Sequence, residues 1–270
     1  MTMTAAAGVR LGLERVGRAT VGWLEELGYA AALLVEALYW VLFGWRRRQT
    51  VRPAPVFAEM MEIGVRAIPI VSLLLFTIGV MLAIQGVATL KIFGAESRVI
   101  PAVALSVTRE FSPLIVGILV AGRSGSALAA RIGTMQVSQE IDALRVIGVS
   151  PVRYLVAPAL LALLVMLPML TILGDAVGIL GSALFSAPVL DIDLRAYYQA
   201  TVESLEPFDL MQGLAKSFVF AMLVALVGAS TGFAVSGGAE AVGRAATRAV
   251  VTSISAIILA DMVFSYFLNR

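Results

Sequence analysis

Five long apolar stretches constrain the fold of this chain more than any other feature. They lie at about 63–90, 99–122, 152–186, 212–236 and 249–268. A helix needs about 20 predominantly apolar residues to cross a hydrocarbon layer about 30 Å thick, and each stretch reaches that length. Hydrophobic residues make up 60% of the chain and charged residues 14%, which excludes a soluble core enclosed by a polar surface. The sequence predicts an all-α integral membrane protein with five transmembrane helices.

The residues before these stretches predict a different kind of helix. Ala30 to Gly44 is apolar apart from Glu36 and is too short to cross about 30 Å of hydrocarbon. We predict an amphipathic helix that lies in the membrane interface, with a tilted first span as the alternative. Its expected interfacial anchors are Trp23, Trp40 and Trp45. Together with a basic, proline-broken linker, this helix forms an N-terminal part at 1–52, followed by a five-helix transmembrane domain at 53–270.

Arginine distribution predicts the orientation of the spans. One set of connections holds most of the basic residues, namely Arg46, Arg47, Arg48, Arg52, Arg123, Arg131, Arg145, Arg153, Arg244 and Arg248. The other set holds only Lys91, Arg98, Arg195 and Arg270. Because basic residues concentrate on the cytoplasmic side, the first set is predicted to face the cytoplasm. The acidic segment at 187–209 then faces outward.

The composition also excludes most kinds of catalysis. The chain has no cysteine and no histidine, which rules out disulfides, thiolate nucleophiles, the usual zinc sites and imidazole acid–base chemistry. The nearest approach to a phosphate-binding loop is Gly213–Leu214–Ala215–Lys216–Ser217, where alanine replaces the glycine before the lysine. We therefore predict no enzymatic activity, no metal site and no nucleotide site in this chain.

The segment from Ala121 to Pro158 is rich in small and charged residues, and we expect it to leave the hydrocarbon between the second and third spans. Its second half predicts a short helix at about 139–147, which Ser138 caps and which Gly148 and Pro151 end. Val137, Ile141 and Leu144 would form one apolar face of this helix. On spacing alone, an amphipathic helix resting on lipid headgroups is slightly favoured over a partner-binding helix.

A series of motifs in this region resembles the MlaE/YrbE-type permeases of ABC lipid transporters. In chain order the motifs are Arg109–Glu110–Phe111 with Pro113, Ala121–Gly122–Arg123 with Gly125–Ser126, Gly133–Thr134–Met135, Gln139–Glu140–Ile141–Asp142–Ala143–Leu144, Gly148, and Pro151–Val152–Arg153–Tyr154–Leu155. The resemblance extends more weakly from about residue 50 to the end of the chain. It implies that the short helix is a coupling helix, in which Glu140, Asp142, Leu144 and Arg145 contact an ATPase subunit.

The same resemblance implies a set of partners and a location. A permease of this family would act as a homodimer in the bacterial inner membrane. Its partners would be a cytoplasmic ABC ATPase that binds ATP and magnesium, a periplasmic MCE-domain protein and often a STAS-domain protein. The expected substrate is phospholipid or a related lipid, and no nucleic-acid partner is expected.

Several polar side chains fall within or near the spans, where a charge is costly. They are Arg66, Gln85, Arg109, Glu110, Asp175, Lys216 and Asp261. Arg109 and Glu110 are candidates either to line a cavity for the lipid headgroup or to form ion pairs that fix helices, each with its own partner. A structural pair between Lys216 and Asp261 is the favoured interpretation for those two residues. Gln85 could bond across a dimer or touch the substrate.

Two other functions remain open from the residues alone. An ion- or proton-coupled secondary transporter could use Arg109, Glu110, Asp175 and Asp261 as a relay and would need no ATPase. A membrane scaffold without transport activity is the third possibility. Small residues spaced four apart, such as Gly174 and Gly178 or Gly228 and Gly232, predict close helix packing under all three hypotheses.

Overall fold

The computed structural model describes Glu25, residues 28–44 and residues 52–268, and every regular element among them is helical. Five helices are long and apolar enough to cross a membrane, as the sequence predicts. In chain order, the first to fifth spans are Pro53–Ile92, Glu96–Val137, Val152–Val189, Pro207–Phe233 and Ala239–Leu268. The third span is central, because two thirds of its most apolar window (67%) is buried inside the bundle, compared with 11% for the fifth.

Three shorter helices accompany the spans. The N-terminal helix, Gly28–Phe43, is shorter than the five spans and packs Leu33 and Ala37 into the main core. A helix at Glu140–Val146 connects the second and third spans, and a helix at Leu194–Ser204 connects the third and fourth. The last of these is fastened to the third span by the buried Tyr197, whose hydroxyl oxygen lies 2.6 Å from that of Ser182. Of the predicted N-terminal anchors, Trp23 and Trp45 lie outside the described residues.

Several helices extend beyond the predicted boundaries: the fourth and fifth spans begin earlier, at Pro207 and Ala239, and the first two spans differ most. The first span begins at Pro53 and has a break at Gly64, where the helix Pro53–Ile63 gives way to the 3₁₀ turn Val65–Ala67. The second span does not end near residue 122 but continues as helix to Val137. Small residues such as Ala129 and Gly133 explain this continuation, because they let the helix pack closely on the fourth and fifth spans.

Glycines bring the spans into contact at the predicted small-residue positions. A methyl group added to Gly228 would lie 2.9 Å from the carbonyl oxygen of Gly125, and one added to Gly232 would lie 3.0 Å from that of Ala129. The first and third spans meet in the same way, since a methyl group at Gly79 would collide with the backbone of Gly178. The prediction of close helix packing is confirmed within one chain.

The predicted cap of the 140–146 helix is wrong. Ser138 follows the last residue of the second span, and its hydroxyl oxygen lies within hydrogen-bonding distance of two acceptors, the carbonyl oxygen of Thr134 at 3.0 Å and Glu140 Oε1 at 2.8 Å. The residue before the helix is Gln139, which adopts a left-handed conformation with φ 60° and makes no capping hydrogen bond. Because the preceding helix continues to Val137, Ser138 belongs to the end of that helix and not to the start of the next.

Candidate functional site

A charge network lies inside the bundle, centred on Lys216 of the fourth span. The Lys216 side chain is completely buried, with Nζ 2.5 Å from Glu110 Oε2 and 3.0 Å from Asp261 Oδ1. The hydroxyl of Ser265 donates to Glu110 Oε1 at 3.0 Å and lies 3.2 Å from the lysine nitrogen. Three spans, the second, fourth and fifth, therefore meet at one ammonium group, and the predicted pairing of Lys216 with Asp261 is confirmed.

Arg109 has a separate partner, as the helical geometry of adjacent residues predicts. Its Nε and Nη2 atoms lie 2.7 Å and 2.5 Å from Asp209 Oδ1. The other oxygen of Asp209 accepts the backbone N–H of Glu206 at 2.8 Å, at the start of the fourth span. One buried carboxylate thus stabilises a helix N-terminus and an arginine of the neighbouring span together.

Local backbone geometry brings these side chains to the same interface. Residues Val107–Phe111 form a π-helical turn in the second span, and such turns occur frequently at functional sites. The fourth span approaches this turn closely, since a methyl group on Gly213 would collide with the carbonyl oxygen of Thr108. Asp209, Gln212 and Lys216 recur at helical spacing and are all buried, so they form one polar stripe on that span.

Both charge groups keep an exposed edge. The side chains of Arg109 and Glu110 are 33% and 30% exposed, whereas those of Asp209 and Lys216 are essentially buried. The two groups therefore leave one guanidinium and one carboxylate partly exposed, on adjacent residues whose side chains point about 100° apart.

The other polar residues of the spans lie outside this network. Gln85 is exposed on the first span. Asp175 is 7% exposed on the third span, and among the described residues it forms no ion pair. Arg66 is exposed in the 3₁₀ turn that follows the break in the first span, and it pairs with Glu62 one turn before it.

The 140–146 helix stands at the surface of the bundle and presents most of its side chains to solvent. Ile141 is its one buried side chain, and Leu144 is half-buried. Glu140, Asp142 and Arg145 are exposed, with Arg145 Nη1 3.1 Å from Asp142 Oδ1. The apolar residues that follow are also exposed, Val146 by 86% and Ile147 by 70%. The helix thus exposes charged and apolar groups together, a combination that is typical of protein–protein interfaces.

Ion pairs also join the first span to the second span on this side of the bundle. Arg123 Nη2 lies 3.1 Å from Glu62 Oε1, and Arg131 pairs with Glu59. These acids precede the break at Gly64, so they hold the segment Pro53–Ile63 against the extended end of the second span. At this end of the second span the bundle is secured by partly exposed charges and not by buried ones.

Sequence reasoning did not identify three members of the buried groups. Asp209 was assigned to the outward acidic segment, and Gln212 and Ser265 were not singled out. A signal for Asp209 does exist, because Pro207 marks the first turn of a helix and Asp209 lies seven residues, two helical turns, before Lys216. Gln212 falls between them, and neither polar atom of its buried side chain has a hydrogen-bond partner in the described part of the chain.

Comparisons with known proteins agree with this architecture. The family described as Permease MlaE matches residues 56–267, which is most of the chain. This chain belongs to the MlaE permease family. A probable ABC transporter permease protein of Rickettsia felis is 33% identical over 246 residues, covering 91% of this chain and 93% of the relative.

Two further relatives extend the range of this permease family. The Arabidopsis thaliana protein TRIGALACTOSYLDIACYLGLYCEROL 1, chloroplastic, is 40% identical over 190 residues, covering 70% of this chain and 54% of the relative. The intermembrane phospholipid transport system permease protein MlaE of Haemophilus influenzae is 29% identical over 255 residues, covering 94% of this chain and 95% of the relative. The chain is thus a permease of an ABC transporter and a multi-pass protein of the inner membrane.

Proposed function

We propose that this permease moves phospholipid, or a related lipid, between the inner membrane and a periplasmic MCE-type carrier, driven by a partner ATPase. The observation that carries the proposal is the exposed 140–146 helix between the second and third spans. A chain without a nucleotide site needs such an element to receive work from an ATPase. Phospholipid is the substrate that the name of the Haemophilus influenzae relative gives for that protein.

Glu140, Asp142, Leu144 and Arg145 form the proposed ATPase contact. The Arg145–Asp142 pair is about 60% exposed on both sides, so water screens it and little free energy is lost when either group changes partner. Val146 and Ile147 add the apolar area that a stable contact buries. ATP and magnesium would be bound by the partner, and this chain would supply no cofactor site.

Arg109 and Glu110 form the proposed headgroup contact, supported by the buried Lys216 and the partly buried Asp261. The exposed edges of the first two would line a cavity between two copies of the chain, with Gln85 as a further candidate for contact with the lipid or with the second copy. Two acyl chains require a wide apolar cavity with few polar groups at one end, and the network supplies polar groups at a single level of the bundle. ATP closure of the ATPase pair would bring the two copies together and expel the lipid.

The proposed assembly is a homodimer of this chain with two ATPase subunits, an MCE-domain protein on the outer side and a STAS-domain protein at the ATPase. The relay required by an ion-coupled transporter is not favoured. Arg109 pairs with Asp209, Glu110 and Asp261 share Lys216, and Asp175 joins neither group.

Purification of the intact complex from membranes tests the proposal. We expect an ATPase subunit and an MCE-domain protein to copurify, and we expect mass spectrometry to find bound phospholipid. After reconstitution, ATP should drive the movement of a fluorescent phospholipid between the vesicle and an acceptor carrier. Uptake driven by a pH gradient without ATP, in a preparation that lacks an ATPase, would instead identify a secondary transporter.

A further inference from the structure

The N-terminal helix contacts the chain just after the 140–146 helix. Leu33 and Ala37, one turn apart, are buried against the bundle and fix the helix there. Glu36 and Trp40 are also one turn apart and adjoin that buried stripe. Their side chains therefore project from a helix whose position the core already sets.

Both side chains bind the start of the third span. The Ser150 hydroxyl donates to Glu36 Oε1 at 2.9 Å, and Trp40 Nε1 donates to the same oxygen at 3.2 Å. The guanidinium carbon of Arg153 lies 5.3 Å from the centroid of the Trp40 ring, within the range of a cation–π contact. We call these four residues, Glu36, Trp40, Ser150 and Arg153, the clamp.

Ser150 occupies a mechanically important position. Two residues after the 140–146 helix, Gly148 has φ +77° and turns the chain, and the N–H of Val149 donates to the carbonyl oxygen of Leu144 at 2.9 Å. The next helical turn begins at Pro151, and the Ser150 hydroxyl oxygen accepts the backbone N–H of Arg153 at 3.3 Å. Ser150 is therefore the N-cap of the third span, separated from the 140–146 helix by a glycine hinge.

We propose that the N-terminal helix is a strut for energy coupling, and that Glu36 and Trp40 are its positioning residues. Along the chain, a force applied to the 140–146 helix reaches the third span through Gly148, Val149 and Ser150, and the buried Ile141 adds a contact with the same core. A glycine hinge bends easily, so a movement passed along the chain is weakened unless the first turn of the span is held. By binding Ser150 and Arg153, the side chains of Glu36 and Trp40 hold the first turn of the third span. A movement of the 140–146 helix is then passed to this span, the most buried span of the bundle.

This inference rests on the proposed ATP-driven transport and adds a role for a helix outside the five spans. The test uses the complete complex in vesicles that contain a fluorescent phosphatidylethanolamine. Two quantities are measured, ATP hydrolysed and lipid moved, and their ratio reports coupling. A general structural defect lowers both quantities together, whereas a lost strut lowers lipid moved per ATP.

Glu36→Leu removes the acceptor shared by Ser150 and Trp40. We expect about fivefold less lipid moved per ATP, since a net hydrogen bond corresponds to a change of about that size, with ATP hydrolysis unchanged. Glu36→Gln is the matched control, because its amide oxygen can accept both hydrogen bonds, and it should retain the wild-type ratio. A Glu36→Leu complex with the wild-type ratio, or with both rates reduced in proportion, would overturn the proposal.

Covalent repair provides a second test, because the natural chain has no cysteine. In the double variant Glu36→Cys with Ser150→Cys, lipid moved per ATP should be low when the thiols are free. Bridging them with a short bismaleimide should restore the ratio, since a strut stays closed throughout the cycle. If bridging leaves the ratio low or stops transport, the clamp is not a strut.

The proposed function and the proposed strut are contradicted by different results. A wild-type complex that hydrolyses ATP without moving lipid contradicts the proposed function itself. A wild-type complex that moves lipid, together with Glu36→Leu at the same ratio, contradicts only the strut.

Discussion

The buried network around Lys216 and the exposed helix at 140–146 use the same kinds of charged side chain in opposite ways. Lys216 has no exposed surface and contacts carboxylates from two other spans, so each partner depends on the others. Arg145 and Asp142 are more than half exposed and lie on one helix, so water can replace either partner. Both regions contain ion pairs, so the ion pair itself does not distinguish their roles. Burial does: buried charges hold the bundle together, whereas exposed charges can contact another protein.

Substitution of Lys216, the central lysine of the buried network, should cause the largest loss of stability. Lys216→Met leaves Glu110 and Asp261 close together without their cation, and loss of one partner of a buried ion pair costs about 3–5 kcal/mol. We expect a large fall in the thermal unfolding temperature of the purified protein, measured in one detergent against the wild type.

A matched variant separates unpaired charge from lost packing. Lys216→Met combined with Glu110→Gln and Asp261→Asn removes all three charges and should recover much of the lost stability, because neutral groups cost less to bury. If the triple variant is less stable than Lys216→Met alone, repulsion between the carboxylates is not the cause.

Arg109→Ala should have the second-largest effect. It removes the cation from Asp209, but that carboxylate keeps the backbone N–H of Glu206, and Arg109 is one third exposed. We expect a loss of about 1–3 kcal/mol, the range for a buried charged group that loses one hydrogen-bond partner. Stability equal to that of the wild type would show that Arg109 does not fix the fourth span, and adding Asp209→Asn should reduce the loss.

The exposed pair of Arg131 with Glu59 should contribute less. Arg131 is 43% exposed, so Arg131→Ala should change stability by about 0–1 kcal/mol. The unfolding temperature in low and high salt checks this, because salt screens exposed pairs and reduces the difference between the two proteins. A loss as large as that of Lys216→Met would remove the distinction between the two regions.

The sequence predicts features that depend on nearby residues better than contacts between residues far apart in the chain. Five spans follow from apolar length alone, and the pairing of Lys216 with Asp261 follows from the cost of two opposite charges in adjacent spans. The Arg109–Asp209 pair joins residues one hundred positions apart, and composition places Asp209 in a polar connection. Pro207 and the two-turn spacing from Lys216 do indicate that the fourth span begins before Asp209, but nothing local indicates that Asp209 lies beside a π-helical turn of the second span.

The C-terminal end of the second span shows the same limit. Residues 123–137 contain arginines, serines and glycines that are typical of a connection, but in the structure they form helix against the fourth and fifth spans. Ser138 was therefore assigned to the wrong helix end. The short helix itself follows from the residue pattern, whereas its contact with an ATPase is implied by the family resemblance and stays a prediction.

Charge reversal on the exposed 140–146 helix should have the smallest effect on stability but a large effect on coupling. Glu140→Arg with Asp142→Arg should leave the unfolding temperature unchanged, because both side chains are exposed. We expect ATP-driven lipid movement in the reconstituted complex to be lost. Glu240→Arg, at an exposed acid that pairs with Arg244, is the control for charge reversal and should transport normally.

Site-specific crosslinking tests the central claim most directly, namely that the 140–146 helix carries force from a cytoplasmic ATPase into the bundle. The chain has no natural cysteine, so Val146→Cys, at a side chain that is 86% exposed, gives a single reactive position. In the intact complex, a short photo-crosslinker at this cysteine should join the permease to the ATPase subunit. Crosslinks only to lipid, or labelling of this cysteine by a membrane-impermeant reagent from the outer side, would contradict the account.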